Sequence, residues 1–156
     1  MLKSWIMNVI QADTLSTKEI LKLIKHWLSA DIASAKSSNN ALFIKGNPTL
    51  ISSKYAKNIK GVYISEYSLA THKKHDLKAS EYYKIALSIC YDVKPAFYKP
   101  SNKPLHYKFY YELSKRAYKV IIKLSIKDEI FILSVMKSQS AQRELRNLIK
   151  GALLEP

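Results

Sequence analysis

The densest concentration of reactive side chains is Thr71-His72-Lys73-Lys74-His75, with Asp76 directly after it. Two imidazoles and two ammonium groups stand within four residues. An imidazole has a reference pKa of about 6.5, so it takes up and releases protons near neutrality. Neighbouring Lys⁺ favours the neutral ring, which is the form a general base needs. That suits cleavage of RNA by its own 2′-hydroxyl: one group removes that proton, another protonates the leaving 5′-oxygen, and cations stabilise the phosphorane. No metal or other cofactor is required. A metal reading of His72 and His75 at i, i+3 is poorly supported, because their surroundings are cationic and Asp76 is the only nearby carboxylate. The alternative that asks least of these residues is a solvated basic turn.

Other chemistries find no template. The chain has no phosphate-binding glycine loop, dinucleotide fingerprint or serine elbow. Paired acidic residues for two-metal nuclease chemistry are missing, and Asp128-Glu129 reads as a hairpin turn. Cys90 is the only cysteine, which excludes an internal disulfide and a cysteine-based zinc site. The longest apolar runs, such as Ile130–Met136, are too short to cross a bilayer. Residues 1–10 read as part of the fold and not as a signal peptide. A cytoplasmic protein, or one delivered into a target cell, is expected.

Charge supplies the partner class. The 156 residues carry 26 Lys+Arg against 12 Asp+Glu, a net charge of +14. Solubility needs nothing like this, and such an excess attracts polyanions. It is spread along the chain, with nine basic and three acidic residues in 1–60 and seventeen and nine in 61–156. A lysine-rich proteome is the competing explanation, since Lys outnumbers Arg 23 to 3. All eleven tyrosines fall between Tyr55 and Tyr118, interleaved with lysine. Tyrosine suits half-buried strands, and aromatics beside cations also suit splayed, stacked bases of single-stranded RNA.

The elements that must position these groups follow from periodicity. A capping box, Ser16-Thr17-Lys18-Glu19, opens a helix whose apolar face is Ile20, Leu23, Ile24, Trp27, Leu28 and Ile32. Residues 34–40 read as a loop or linker. Ala41–Lys45 and Thr49–Ser53 are short strand-like pieces around a Gly46-Asn47-Pro48 turn. Val62–Ser65 reads as a strand, Tyr67–His75 as a short helix or turn, and Asp76 as the cap of a helix presenting Tyr82, Ile85, Ala86, Ile89 and Cys90. Four strand candidates follow at Lys94–Tyr98, Leu105–Leu113, Arg116–Ser125 and Glu129–Lys137. The short breaks between them argue for an antiparallel meander. A last helix begins near Ser138 or Ser140, with Gly151 fitting its C-terminal cap. The expected fold class is α+β: N-terminal helices, a four-stranded antiparallel meander and a closing C-terminal helix, in one domain over 1–156. Within it, 1–40 reads as a helical N-terminal extension and 41–150 as the core.

Strand alternation then sorts side chains between faces. Leu105, Tyr107, Phe109 and Tyr111, with Tyr118, Val120, Ile122 and Leu124, and with Phe131, Leu133 and Val135, are expected under helices. The opposite face is expected to carry His106, Lys108, Tyr110, Lys119, Lys123 and Ser134, a surface that can grip a phosphate backbone and stack bases. An ordinary solvated sheet face has the same composition.

Residues 62–147 resemble the metal-independent ribonucleases of the barnase–EndoU–colicin–RelE superfamily, especially their phage and mobile-element branch. Val62-Tyr63-Ile64-Ser65 is similar to the strand that leads into the branch's histidine. His72-Lys73-Lys74-His75-Asp76 resembles its histidine and Lys-His-Pro step, with Asp76 in place of Pro. Tyr82-Tyr83-Lys84-Ile85, Ile89-Cys90-Tyr91-Asp92-Val93, Tyr118–Lys123 and Ile130–Val135 follow in matching order. The resemblance implies an endoribonuclease of toxin type, with His72 or His75 as general base and acid and Lys123 binding phosphate. It also implies Ser134 as an orienting hydroxyl, with Lys73, Lys74 and Arg143 as further phosphate contacts. It implies tRNA or mRNA as substrate, no metal, and an acidic immunity or antitoxin protein as partner. A non-catalytic nucleic-acid-binding module, or a structural protein of a phage or mobile element, explains the charge and the tyrosines without asking anything of the histidines.

Overall fold

The computed structural model describes residues 8–48, 59–71, 77–91, 97–125, 129–137 and 139–154. Thirteen elements follow among the described residues. Strand β1 (Asn8–Gln11) runs into a 3₁₀ turn at Ala12–Thr14, followed by helices α1 (Thr17–Leu28) and α2 (Ile32–Ser38). Next come β2 (Asn40–Lys45), β3 (Gly61–Ser65), α3 (Glu66–Thr71) and α4 (Ala79–Cys90). The chain closes with β4 (Phe97–Pro100), β5 (His106–Leu113), β6 (Arg116–Leu124), β7 (Ile130–Lys137) and α5 (Gln139–Leu154).

The fold is α+β, but the sheet is larger than the expected meander. It holds seven strands in the order β1-β2-β3-β7-β6-β5-β4. β1 pairs with β2, and β3 with β7, in parallel; every other pair is antiparallel. Strands β4 to β7 are consecutive antiparallel neighbours within it. The four-stranded antiparallel sheet is therefore corrected to a seven-stranded mixed one. The added strands pair across long sequence separations, which no local turn signal announces.

One apolar layer lies between this sheet and helices α1, α3 and α4. It joins Ile20, Ile24 and Trp27 of α1 to Leu69 of α3, to Tyr82, Ile85 and Ile89 of α4, and to Leu42, Val62, Ile122, Ile130 and Ile132 of the sheet. The segment read as an N-terminal extension thus supplies both an edge strand and part of this core. Local signals explain where the helices start. The Ser16 hydroxyl accepts the Glu19 N–H at 3.1 Å while the Ser16 N–H donates to Glu19 Oε1 at 2.9 Å, a reciprocal cap for α1. Residues 34–40, expected to be a loop, contain most of α2 and the start of β2. Asp31 caps α2 by accepting the Ser34 N–H at 3.0 Å, and Asn39 ends it in the left-handed region at φ 52°.

Three further expectations change. Gly151 lies inside α5 and not at its cap. Leu105, expected under the helices, is exposed and sits at φ 60° in the turn before β5. In β7 the first half of the strand faces the other way: Ile130 and Ile132 are buried against the helices, whereas Phe131 is not. The cause is an irregularity in the β6–β7 ladder. Ile121 pairs with Ser134 and Ile122 with Ile132, so Leu133 is an extra residue. A bulge reverses the parity of everything on one side of it. Thr49–Ser53, Asp76 and residues 94–96 lie outside the described residues.

Candidate nucleic-acid interface

The sheet face away from α1, α3 and α4 carries one cross-strand row of unusual composition. Phe43 of β2 stands opposite Tyr63 of β3, Tyr63 opposite Phe131 of β7, Phe131 opposite Lys123 of β6, and Lys123 opposite His106 of β5. At about 4.8 Å per strand this row is about 19 Å long. The Phe43 and Tyr63 ring centroids are 4.8 Å apart with planes at 48°, and those of Tyr63 and Phe131 are 4.9 Å apart at 18°. The three rings and His106 are half-buried, and Lys123 is exposed.

Each ring is placed by its neighbours. Leu42 and Ile44, Val62 and Ile64, and Ile130 and Ile132 are all buried on the helix side. The aromatic residue between each pair must then point the other way. Gly61 makes room for the first ring. A Cβ there would stand 2.8 Å from Phe43 Cζ and 2.2 Å from the Ile44 carbonyl oxygen. The Tyr63 hydroxyl donates to the Glu129 carboxylate; burial, that bond and the carboxylate's charge push Tyr63 up to about 12, so it stays a neutral phenol. Glu129 is held in turn by Ser125, whose Oγ accepts the Glu129 N–H at 3.1 Å. At the other end of the row, His106 Nδ1 lies 2.8 Å from the Pro104 carbonyl oxygen. That contact needs the proton on Nδ1 and leaves Nε2 of the neutral ring as an acceptor.

Two shorter rows run beside the first. One is Lys108, Ile121 and Ser134; the other is Tyr110, Lys119 and Met136. The expected grouping of His106, Lys108, Tyr110, Lys119, Lys123 and Ser134 on one face therefore matches the strand register. Their accessibility differs. Ser134, expected to orient a phosphate, is 8% exposed and thus closed to a ligand here. Tyr110 is buried and Lys119 half-buried beneath α5, both bonded to Glu144. Lys108 is half-buried, and Arg143 is exposed on α5.

His72, Lys73, Lys74 and His75 lie outside the described residues. The described residues nearest to them are Thr71, which is half-buried, and Leu77, which is buried. Among the described residues no group of three or more His, Cys, Asp or Glu is placed to hold a metal ion. No helix among them is long and apolar enough to cross a membrane.

Sequence reasoning missed Phe43, Tyr63 and Phe131 as members of one surface. A signal was present: Leu42-Phe43-Ile44, Val62-Tyr63-Ile64 and Ile130-Phe131-Ile132 are three aliphatic–aromatic–aliphatic triplets. Alternation in each sends the aliphatics to one face and the ring to the other. Comparison of the chain with family models, with curated proteins and with solved structures finds no match.

Proposed function

We propose that this protein binds single-stranded nucleic acid, RNA foremost, on the open face of its sheet. The row Phe43–Tyr63–Phe131–Lys123–His106 carries the reading. Bases stack on aromatic rings whatever their sequence, and cations beside the rings take the phosphates. A duplex keeps its bases stacked inside and offers nothing to the rings. The net charge of +14 supplies the long-range attraction.

The test is a fluorescence-anisotropy titration with a labelled ten-nucleotide single strand and with the same sequence as a duplex. The single strand is expected to bind more tightly, with affinity falling steeply between about 50 and 200 mM salt. Phe131→Leu keeps an apolar side chain but removes the ring. Losing one stacked base costs about 1–3 kcal/mol, or about 5- to 150-fold in affinity. Equal binding of both forms, or no effect of Phe131→Leu, refutes the reading.

A second reading is a metal-independent endoribonuclease acting through 2′-hydroxyl transesterification. One observation favours it: His106, with Nε2 left as an acceptor, stands directly opposite exposed Lys123. In this reading an imidazole moves the proton and Lys123 stabilises the phosphorane. His106 joins His72 and His75 as the candidate base, and an acidic antitoxin or immunity protein would match the basic face. RNA incubated in EDTA with the wild type and with His72→Ala, His75→Ala and His106→Ala separates the two readings. A 2′,3′-cyclic phosphate product lost with one histidine supports cleavage, and intact RNA with all four proteins refutes it.

A further inference from the structure

Helix α5 covers part of the open face, and its manner of attachment is unlike that of the other helices. The buried cluster beneath it is small and separate from the main core, consisting of Tyr110, Ala117 and Leu145 with Leu148 against it. Polar contacts do the rest. Glu144 accepts the Tyr110 hydroxyl at 2.5 Å and pairs with Lys119 Nζ at 3.2 Å. Gln142 Oε1 accepts the Ala117 N–H at 3.1 Å.

The distribution of charge on α5 is one-sided. Its residues 139–154 include one acid, Glu144, and three bases, Arg143, Arg146 and Lys150. The acid is the one bonded to the sheet, and the three bases are exposed. The Tyr110 hydroxyl, together with Lys119 and Lys108, holds Glu144 below the ordinary carboxylate value against the opposing effect of burial, so it is an anion at neutral pH. A carboxylate bonded to a tyrosine and a lysine offers them an anionic oxygen of the kind a phosphate also carries.

We infer that α5 is a displaceable cover over a second nucleic-acid row, Tyr110–Lys119–Met136, and that Glu144 stands there in place of a backbone phosphate. The inference rests on the single-strand binding proposed above and extends it to the regulation of that face. In the covered state only the first row receives bases. A longer strand exchanges its phosphate for Glu144, frees Tyr110 for stacking and Lys119 for charge pairing, and meets Arg143, Arg146 and Lys150 on the lifted helix.

The experiment uses the full chain and a labelled twenty-nucleotide single-stranded RNA. Glu144→Gln removes the competing charge with little change of shape. Asp13→Asn makes the same charge change at an exposed position in the 3₁₀ turn before α1, away from this row, and controls for net charge. Glu144→Gln is expected to bind at least about fivefold more tightly, with a log K against log salt slope steeper by about 0.7 for each lysine freed. Asp13→Asn is expected to stay within about twofold of wild type. Hydrogen exchange of the α5 amides in the unmodified chain is expected to speed up when RNA is added. Glu144→Gln behaving like Asp13→Asn, or α5 amides equally or better protected with RNA bound, overturns the cover alone. Absence of any binding by the unmodified chain overturns the proposed function beneath it as well.

Discussion

Replacing Gly61 with alanine tests how the aromatic row is built. The φ of Gly61 is not in the left-handed region, so alanine meets no backbone strain, only a steric obstacle. Its Cβ would lie 2.2 Å from the Ile44 carbonyl oxygen, 3.0 Å from the Ile44 carbonyl carbon and 2.8 Å from Phe43 Cζ. Two of these atoms are backbone of β2, the strand to which Gly61 is paired through Lys45. They cannot move aside as a side-chain tip does, so the β2–β3 ladder must open at this end. Overpacking costs about 1–3 kcal/mol, and a backbone obstacle places this case at the upper end. For a chain of this size about 3 kcal/mol lowers Tm by about 6–12 °C. The Phe43 ring is displaced from Tyr63 at the same time, so binding of a single strand should weaken in the folded protein. Gly46→Ala is the matched control. Its Cβ would lie 2.4 Å from Cys90 Cβ at the end of α4, so it should destabilise the fold while leaving the affinity of folded protein for RNA unchanged. Calorimetry and anisotropy on both variants read the two effects separately. A Gly61→Ala protein that melts with the wild type refutes the steric argument, and equal loss of binding in both variants refutes the assignment of Phe43 to the row.

Ser16→Ala removes the reciprocal cap of α1 and should lower stability by about 1 kcal/mol in urea denaturation, with m unchanged. Burial opposes ionisation of Glu81, but the Lys78 N–H, the Tyr118 hydroxyl and Lys137 outweigh it and hold its pKa below the ordinary 4.5. Its contribution is therefore present above about pH 4.5 and lost as pH falls through the lowered folded value. Glu81→Gln should flatten that part of the acid-denaturation curve, and an unchanged curve counts against the network. Burial pushes the Cys90 thiol up to about 12, and Cys90 Sγ donates to the Ile44 carbonyl at 3.4 Å. A thiol reagent at pH 8 should therefore label Cys90 only as fast as the protein unfolds, and rapid labelling of native protein would contradict its place in the core.

Much of this architecture is legible from local pattern. The capping box at Ser16 and Glu19, the buried face of α4 and the alternation of Tyr107, Phe109 and Tyr111 depend on neighbours within a turn or a strand. What escapes is non-local or hinges on a single residue. The parallel pairings of β1 with β2 and of β3 with β7 have no turn to announce them. Leu133 is one extra residue in β7, yet it decides that Phe131 lies on the face away from α1, α3 and α4 and Ile132 in the core. The lysines and His106 of the open face follow from period two, but the helix that takes Tyr110 and Lys119 out of reach arrives from 139–154, where the pattern shows an apolar face and not its destination. Phe43, Tyr63 and Phe131 sit far apart in sequence, and only the strand order aligns them.

The proposed binding of nucleic acid on the open face is tested most directly by photo-cross-linking of the full chain to a single-stranded RNA carrying 4-thiouridine, followed by mass spectrometry of the joined peptides. Cross-links at Phe43, Tyr63 and Phe131 are expected. Cross-links confined to α1 or α4, on the other side of the sheet, would contradict the account.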